Sequence, residues 1–220
     1  MNPSVRPVMV LIALAVLPCS AVRAETAAAA PAAPVDAVWV ELKRNLVYFG
    51  QTTYYSCYGL RDKVRYILQQ AGARPDLKVW TSCVESGGAG VEAMPSVRIR
   101  AAFPTEATPE VLARLEAEAP KRELVARVKG TGDRGDAETA QFPAVWRRVE
   151  FDGSGRGRIE DGDCELLEHV LEQVLVPAGV RVAPGSRLGC MRGQLPTGSV
   201  RLMVDTLQKA PKPDEGPADR

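Results

Sequence analysis

Two pairs of cysteines constrain this chain most. Cys57 and Cys83 stand 26 residues apart, and Cys164 and Cys190 are separated by the same 26. A shift of 107 residues carries the first pair onto the second, and with it Ala37-Val38-Trp39 onto Ala144-Val145-Trp146, Leu60 onto Leu167 and Ala71-Gly72 onto Ala178-Gly179, without a gap. Ser96-Val97-Arg98 recurs as Ser199-Val200-Arg201 at an offset of 103, a difference that a loop absorbs. The expectation is two tandem copies of one unit, each stapled by its own disulfide, Cys57 to Cys83 and Cys164 to Cys190.

Each copy reads as α+β. In the first, Val38 to Leu42 and Leu46 to Phe49 carry the β-branched and aromatic residues of a strand or hairpin. Ser56 is placed to cap a helix in which Leu60, Val64, Ile67 and Leu68 fall on one stripe, and Gly72 follows at the position where a left-handed C-cap favours glycine. Leu77 to Trp80 and Val97 to Arg100 then read as two strands around the glycine-rich Ser86-Gly87-Gly88-Ala89-Gly90. The second copy repeats the order from Trp146, with Asp163 in the place of Ser56 as cap and Leu167, Val170, Leu171 and Val174 as the stripe. A helix from Cys57 to Gly72 rises about 24 Å at 1.5 Å per residue, and a strand from Leu77 to Cys83 returns about 23 Å, so the two sulfurs of a copy meet. The fold expected is two β-α-β-β units packed as a pseudo-symmetric pair, with a ferredoxin-like sandwich as the nearest familiar arrangement.

The ends read differently. Arg6 followed by the apolar run from Val8 to Leu17, too short to span a bilayer, and then Val22-Arg23-Ala24 fit a signal peptide cleaved before Glu25. Cys19 offers a lipoprotein alternative, poorly served by Pro18 directly before it. Cleavage removes Arg6 and Arg23, leaving 26 basic residues against 27 acidic, and four cysteines in a compartment that favours disulfides. A chain so near neutrality gains little from counterion release, so nucleic acid is not expected as a partner, and no second apolar run is long enough for a membrane span. The organisation expected is therefore a leader (1–24), a disordered linker (25–36), unit one (37–103), a connector (104–143), unit two (144–208) and a disordered tail (209–220). In the connector, Thr108-Pro109 opens a short helix through Glu118, Pro120 stops it, and Leu124 to Val128 reads as an extra strand.

Motifs that carry chemistry are weak. Cys57 and Cys164 sit at helix starts, where a thiolate is stabilised, but no C-x-x-C accompanies them and staples explain all four cysteines. The stretch Asp152 to Asp163 has the length of a calcium loop, yet Arg156 occupies a ligand position and Asp163 replaces the bidentate Glu. His169 is the only histidine and reads as a half-exposed helix residue rather than a metal ligand. No cofactor or metal is implied. Tyr54, Tyr55 and Tyr58 cluster at the start of the first helix, where copy two has Asp161, Gly162 and Glu165, so these aromatics are the candidate binding residues.

The leader, Cys57-Tyr58-Gly59-Leu60-Arg61-Asp62-Lys63-Val64 and Gly162-Asp163-Cys164-Glu165-Leu166-Leu167-Glu168 together resemble secreted proteobacterial proteins without an assigned activity. The resemblance, over residues 37–207, implies export to the same compartment and adds no catalytic residues. The expectation is an exported binding or assembly module of the cell envelope, with an envelope protein or a glycan as partner. The alternative is a periplasmic enzyme, either a hydrolase using carboxylates or a thiol oxidoreductase. Intact-mass measurement of exported material is expected to give a chain beginning at Glu25; a diacylated Cys19 or a retained leader would contradict the reading of the first 24 residues.

Overall fold

The computed structural model describes residues 33–51, 53–82, 95–128, 140–154, 158–192 and 198–211. The leader, residues 83–94 with Cys83 and the glycine-rich segment, and most of the linker and tail lie outside the described residues, as therefore does the expected Cys57 to Cys83 bridge.

The first strand, β1 (Val35–Val47), is continuous where the sequence left open a strand or a hairpin. Its polar middle, Lys43-Arg44-Asn45, stays extended because β1 pairs with β3 (Ser96–Glu106) without interruption from Ala37↔Glu106 to Val47↔Ser96. Between them come α1 (Cys57–Gln70) and β2 (Lys78–Ser82), which pairs with the other edge of β3. Both β1 and β2 run antiparallel to β3, so they are parallel to one another with β3 between them. Ser56 caps α1 as expected, its side chain accepting from the backbone N–H of Gly59 at 3.2 Å, and Leu60, Val64, Ile67 and Leu68 are buried along one face.

After α2 (Pro109–Val128), strand β4 (Phe142–Asp152) leads through a 3₁₀ turn at Asp161–Asp163 into α3 (Cys164–Val170), which widens into a π turn at Leu171–Leu175. The short β5 (Arg181–Val182) and β6 (Arg187–Cys190) both pair with the last strand, β7 (Gly198–Lys209). The sheet is seven-stranded and antiparallel, in the order β2-β3-β1-β4-β7-β5, with β6 also on β7. The strands of the two expected units thus join one continuous seven-stranded sheet. The join is made where β1 and β4 begin, at Val35↔Ala144, Asp36↔Pro143 and Ala37↔Phe142.

One face of the sheet holds the core. Leu46, Val97, Ile99, Phe103, Phe151, Leu202 and Val204 point to it and pack with the buried stripes of α1 and α3 in a single apolar cluster. Cys164, at the first position of α3, is joined to Cys190 of β6, with Cα atoms 5.4 Å apart, in the pairing read from the spacing. Among the described residues no helix is long and apolar enough to cross a membrane.

Two local expectations are corrected. The connector is one helix through Val128: Pro120 neither stops it nor opens a strand at Leu124. Strong helix formers lie on both sides of the proline, and beside it the Arg122 guanidinium donates to the Leu115 carbonyl at 2.9 Å and pairs with Glu118. Asp163 precedes α3 but makes no side-chain cap bond to it. Its carboxylate is buried and drawn instead to the preceding 3₁₀ turn and to α1, where partners with more to offer than a helix N–H await it.

The helix ends follow the sequence closely. Gly72 and Gly179 both adopt left-handed backbone, with φ of 88° and 90°. Around Gly179 there is open space, whereas a Cβ at Gly72 would lie 2.9 Å from the Leu207 carbonyl. In urea titrations, Gly179→Ala is expected to cost about 1 kcal/mol, the penalty of left-handed backbone with a Cβ. Gly72→Ala is expected to cost about 1 kcal/mol more, because the clash is added to the same penalty. Equal losses would mean that α1 does not sit this tightly on β7.

Candidate functional site

Two constellations stand out, one buried and one exposed. The buried one centres on Asp163. Its Oδ1 accepts the Tyr55 hydroxyl at 2.5 Å, and its Oδ2 accepts Lys63 Nζ at 2.5 Å and the backbone N–H of Glu160 at 2.8 Å. Tyr55 lies against Tyr48, whose hydroxyl donates to the Thr53 carbonyl, and the edge of Tyr48 meets the His169 ring at 5.8 Å. Next to this group the buried Glu165 accepts the Gln51 N–H at 2.8 Å, and Thr53 Oγ1 donates to the Gly162 carbonyl at 2.7 Å.

Burial first, and then nearby carboxylates, Glu165 and Asp163 for Tyr48 and Asp163 for Tyr55, push both tyrosine hydroxyls well above the usual phenol range, so they act as donors at any physiological pH. Both oxygens of Asp163 are engaged and the residue is only 1% exposed. Such a group can lock elements together; it has no open side from which to meet a substrate.

The exposed constellation lies on the face of the sheet opposite the core helices. Strand register puts Trp80, Arg98 and Asn45 in one row across β2, β3 and β1, and Lys78, Arg100 and Lys43 in the next. Neighbouring strands lie about 4.8 Å apart, so each row spans about 10 Å. Glu41 ties down two of the cations: burial acts to raise its carboxyl, but hydrogen bonds from Arg100 and Lys43 outweigh this and hold it below the usual range. Among the described residues Arg98 and Lys78 have no acidic partner.

All three tryptophans point to this face, in different states. Trp39 stacks on Phe142 with ring centres 4.9 Å apart and has the Arg74 guanidinium over it at 5.7 Å. Trp146 has Arg181 over its ring at 4.1 Å and donates from Nε1 to Glu106 at 2.9 Å. Trp80 is 48% exposed, and no described ring or cation covers it. It lines an open depression of about 310 Å³ together with Asn45, Thr81, Ser82, Ser96 and Arg98.

The residues singled out from the sequence are thus separated. Tyr54 and Tyr58 are exposed, and Arg61 stacks on Tyr58 at 5.1 Å, but Tyr55 turns inward to Asp163, so the three do not share one exposed surface. Of the cysteines, Cys57 opens α1, Cys164 and Cys190 form the bridge described, and Cys83 lies outside the described residues. The acids of the loop that resembled a calcium site are turned to structural bonds: Asp152 accepts from Ser154, and Asp161 from the Val200 N–H at 3.0 Å. Trp80 was missed as a candidate. The signal was present, because alternation in Lys78-Val79-Trp80 sets Trp80 on the side opposite the buried Val79.

Comparison with protein-family models, with curated proteins and with solved structures finds no match. The chemistry of these two groups therefore has to be judged from the molecule itself.

Asp163→Ala deprives both the Tyr55 hydroxyl and Lys63 of their acceptor, so it is expected to lower stability by about 3 kcal/mol, and Tyr55→Phe by about 1–2 kcal/mol, in equilibrium unfolding. Losses below about 0.5 kcal/mol for both would deny the buried group its structural role.

Proposed function

We propose that the protein is an exported, non-catalytic binding module of the cell envelope, built by duplication of one β-α-β-β unit, with the open face of the sheet in its first half as the binding surface. The observation that carries the reading is Trp80: a large aromatic side chain left half exposed beside Arg98, which has no acidic partner among the described residues, in a depression whose other lining residues are polar. Leaving indole surface in water is unfavourable, and such a ring regains that free energy when a ligand covers it. The disulfide between Cys164 and Cys190 is consistent with an oxidising compartment, and the leader-like first 24 residues support export.

The duplication is supported by equivalences beyond the letters. Trp39 with Arg74 and Trp146 with Arg181 are the same cation-on-indole pair, displaced by 107 residues. Leu60 and Leu167 are both fully buried, Gly72 and Gly179 share their left-handed backbone, and strands β1, β3 and β2 are ordered from the centre outwards as β4, β7 and β6 are. Under this equivalence Trp80 corresponds to Arg187 and Asn45 to Asp152, so the second half carries no aromatic ring at that place. The architecture does not require Trp80 twice, which favours a role in binding.

A soluble fraction of envelope polymer is expected to protect Trp80 from mild oxidation, read by peptide mass spectrometry, while Trp146 reactivity stays unchanged. Protection confined to Tyr54 and Tyr58 would move the binding surface to the start of α1. Shortening of the polymer during incubation would favour the enzyme alternative.

A further inference from the structure

Resting on that reading and deepening it, we infer that the Trp80 depression takes an acidic sugar, with the pyranose ring laid on the indole and its carboxylate on Arg98. The inference joins three features of the first half of the sheet. The first is the bare indole of Trp80, which offers an apolar plane to the C–H face of a sugar ring; the other two tryptophans are occupied by Arg74 and Arg181. The second is Arg98, directly paired with Trp80 across the β2 and β3 ladder and free of any acidic partner among the described residues. A guanidinium so placed presents a planar fork that fits a carboxylate.

The third is the rest of the lining. The Asn45 amide and the hydroxyls of Thr81, Ser82 and Ser96 both donate and accept, as ring hydroxyls require, and none of them is acidic. The adjacent row adds Lys78, which has no acidic partner among the described residues, so positive potential extends beyond Arg98, whereas Arg100 and Lys43 in that row are held by Glu41. Charge complementarity thus selects an anionic saccharide over a neutral one.

A single-stranded nucleic acid fits less well. Binding of that kind uses successive aromatic platforms along a basic track, whereas here one ring is free and the other two tryptophans carry their own arginines. The depression, about 310 Å³ and open, has the size of a small-ligand site.

The test uses the full mature chain and two defined probes of equal length, tetragalacturonate and maltotetraose, titrated against tryptophan fluorescence at low and high salt. Tetragalacturonate is expected to bind with a dissociation constant below about 1 mM and at least about tenfold more tightly than maltotetraose, and to weaken as salt screens Arg98. Trp80→Ala is expected to lose at least about tenfold for tetragalacturonate. Arg98→Gln is expected to remove the preference for the acidic probe while leaving any neutral binding as it was. Arg201→Gln, the equivalent position in the second half and paired with Glu150, serves as the folded control and is expected to bind as the parent does.

Equal binding of the two probes, or parental binding by both Trp80→Ala and Arg98→Gln with unchanged melting temperatures, overturns the inference. So does tighter binding of a five-residue oligothymidylate that Trp80→Ala abolishes, which would assign the surface to nucleic acid. If tetragalacturonate fails while envelope polymer still protects Trp80 from oxidation, the acidic-sugar assignment falls and the binding face stands.

Discussion

The three residue pairs by which β1 and β4 meet are the constraint on which the rest of the molecule depends, because they alone join two strand groups into one sheet. A ladder this short, with Pro143 in it and so one N–H fewer, cannot hold long strands in line by itself. The contacts around it supply what the ladder lacks. Trp39 and Phe142 stack directly over the join, and Trp146 reaches across to Glu106. On the helical face Asp163 gathers Tyr55 and Lys63 from the other half of the chain, and the Thr206 hydroxyl donates to the Ala71 carbonyl at 2.6 Å. The buried carboxylate is thus explained by position: it sits where two halves must be kept in one register, a task for which directional bonds serve better than apolar packing.

This arrangement separates the rings that hold the sheet together from the one left open. In both halves the indole nearest the join is covered by an arginine, Arg74 on Trp39 and Arg181 on Trp146, so those rings contribute to the scaffold. Farther out the two halves differ. In the second, Arg201 pairs with Glu150 and Arg148 with Asp205. In the first, Arg98 and Lys78 lack such partners among the described residues and stand beside Trp80. Among the described residues, the outer corner at Trp80 thus lacks the ion pairs that Arg201 and Arg148 make in the second half of the sheet.

Much of this was legible in the chain, and for definable reasons. The helix stripes, the glycine ends at Gly72 and Gly179 and the Cys164 to Cys190 bridge follow from local spacing, which one unit is enough to determine. What escaped depends on partners remote in sequence. Tyr55 looks like its exposed neighbours Tyr54 and Tyr58 until Asp163, 108 residues on, is placed against it. Asp163 likewise looks like a helix cap until Lys63 is seen to claim it. The strand expected after Pro120 failed for a different reason: a proline removes one helix bond, and the strong helix formers on either side carry the helix past it. Trp80 needed no remote partner to be assigned a face, but its row with Arg98 and Asn45 emerges only from the register of three strands.

The position of β7 carries a consequence for how such a chain is made. This strand, among the last described residues, lies between β4 and the short β5 and β6, and its Leu207 carbonyl and Thr206 hydroxyl also close over the end of α1. A chain synthesised from its N-terminus can form β1, α1, β2 and β3 early, but the floor beneath the end of α1 arrives with the final strand. The first half must wait, partly unsealed, for residues roughly a hundred positions downstream, and long-range closure of this kind is slow and exposes apolar surface in the meantime. Arrival of β7 therefore completes the described sheet, and a chain halted before it lacks the strand against which β4, β5 and β6 all pair.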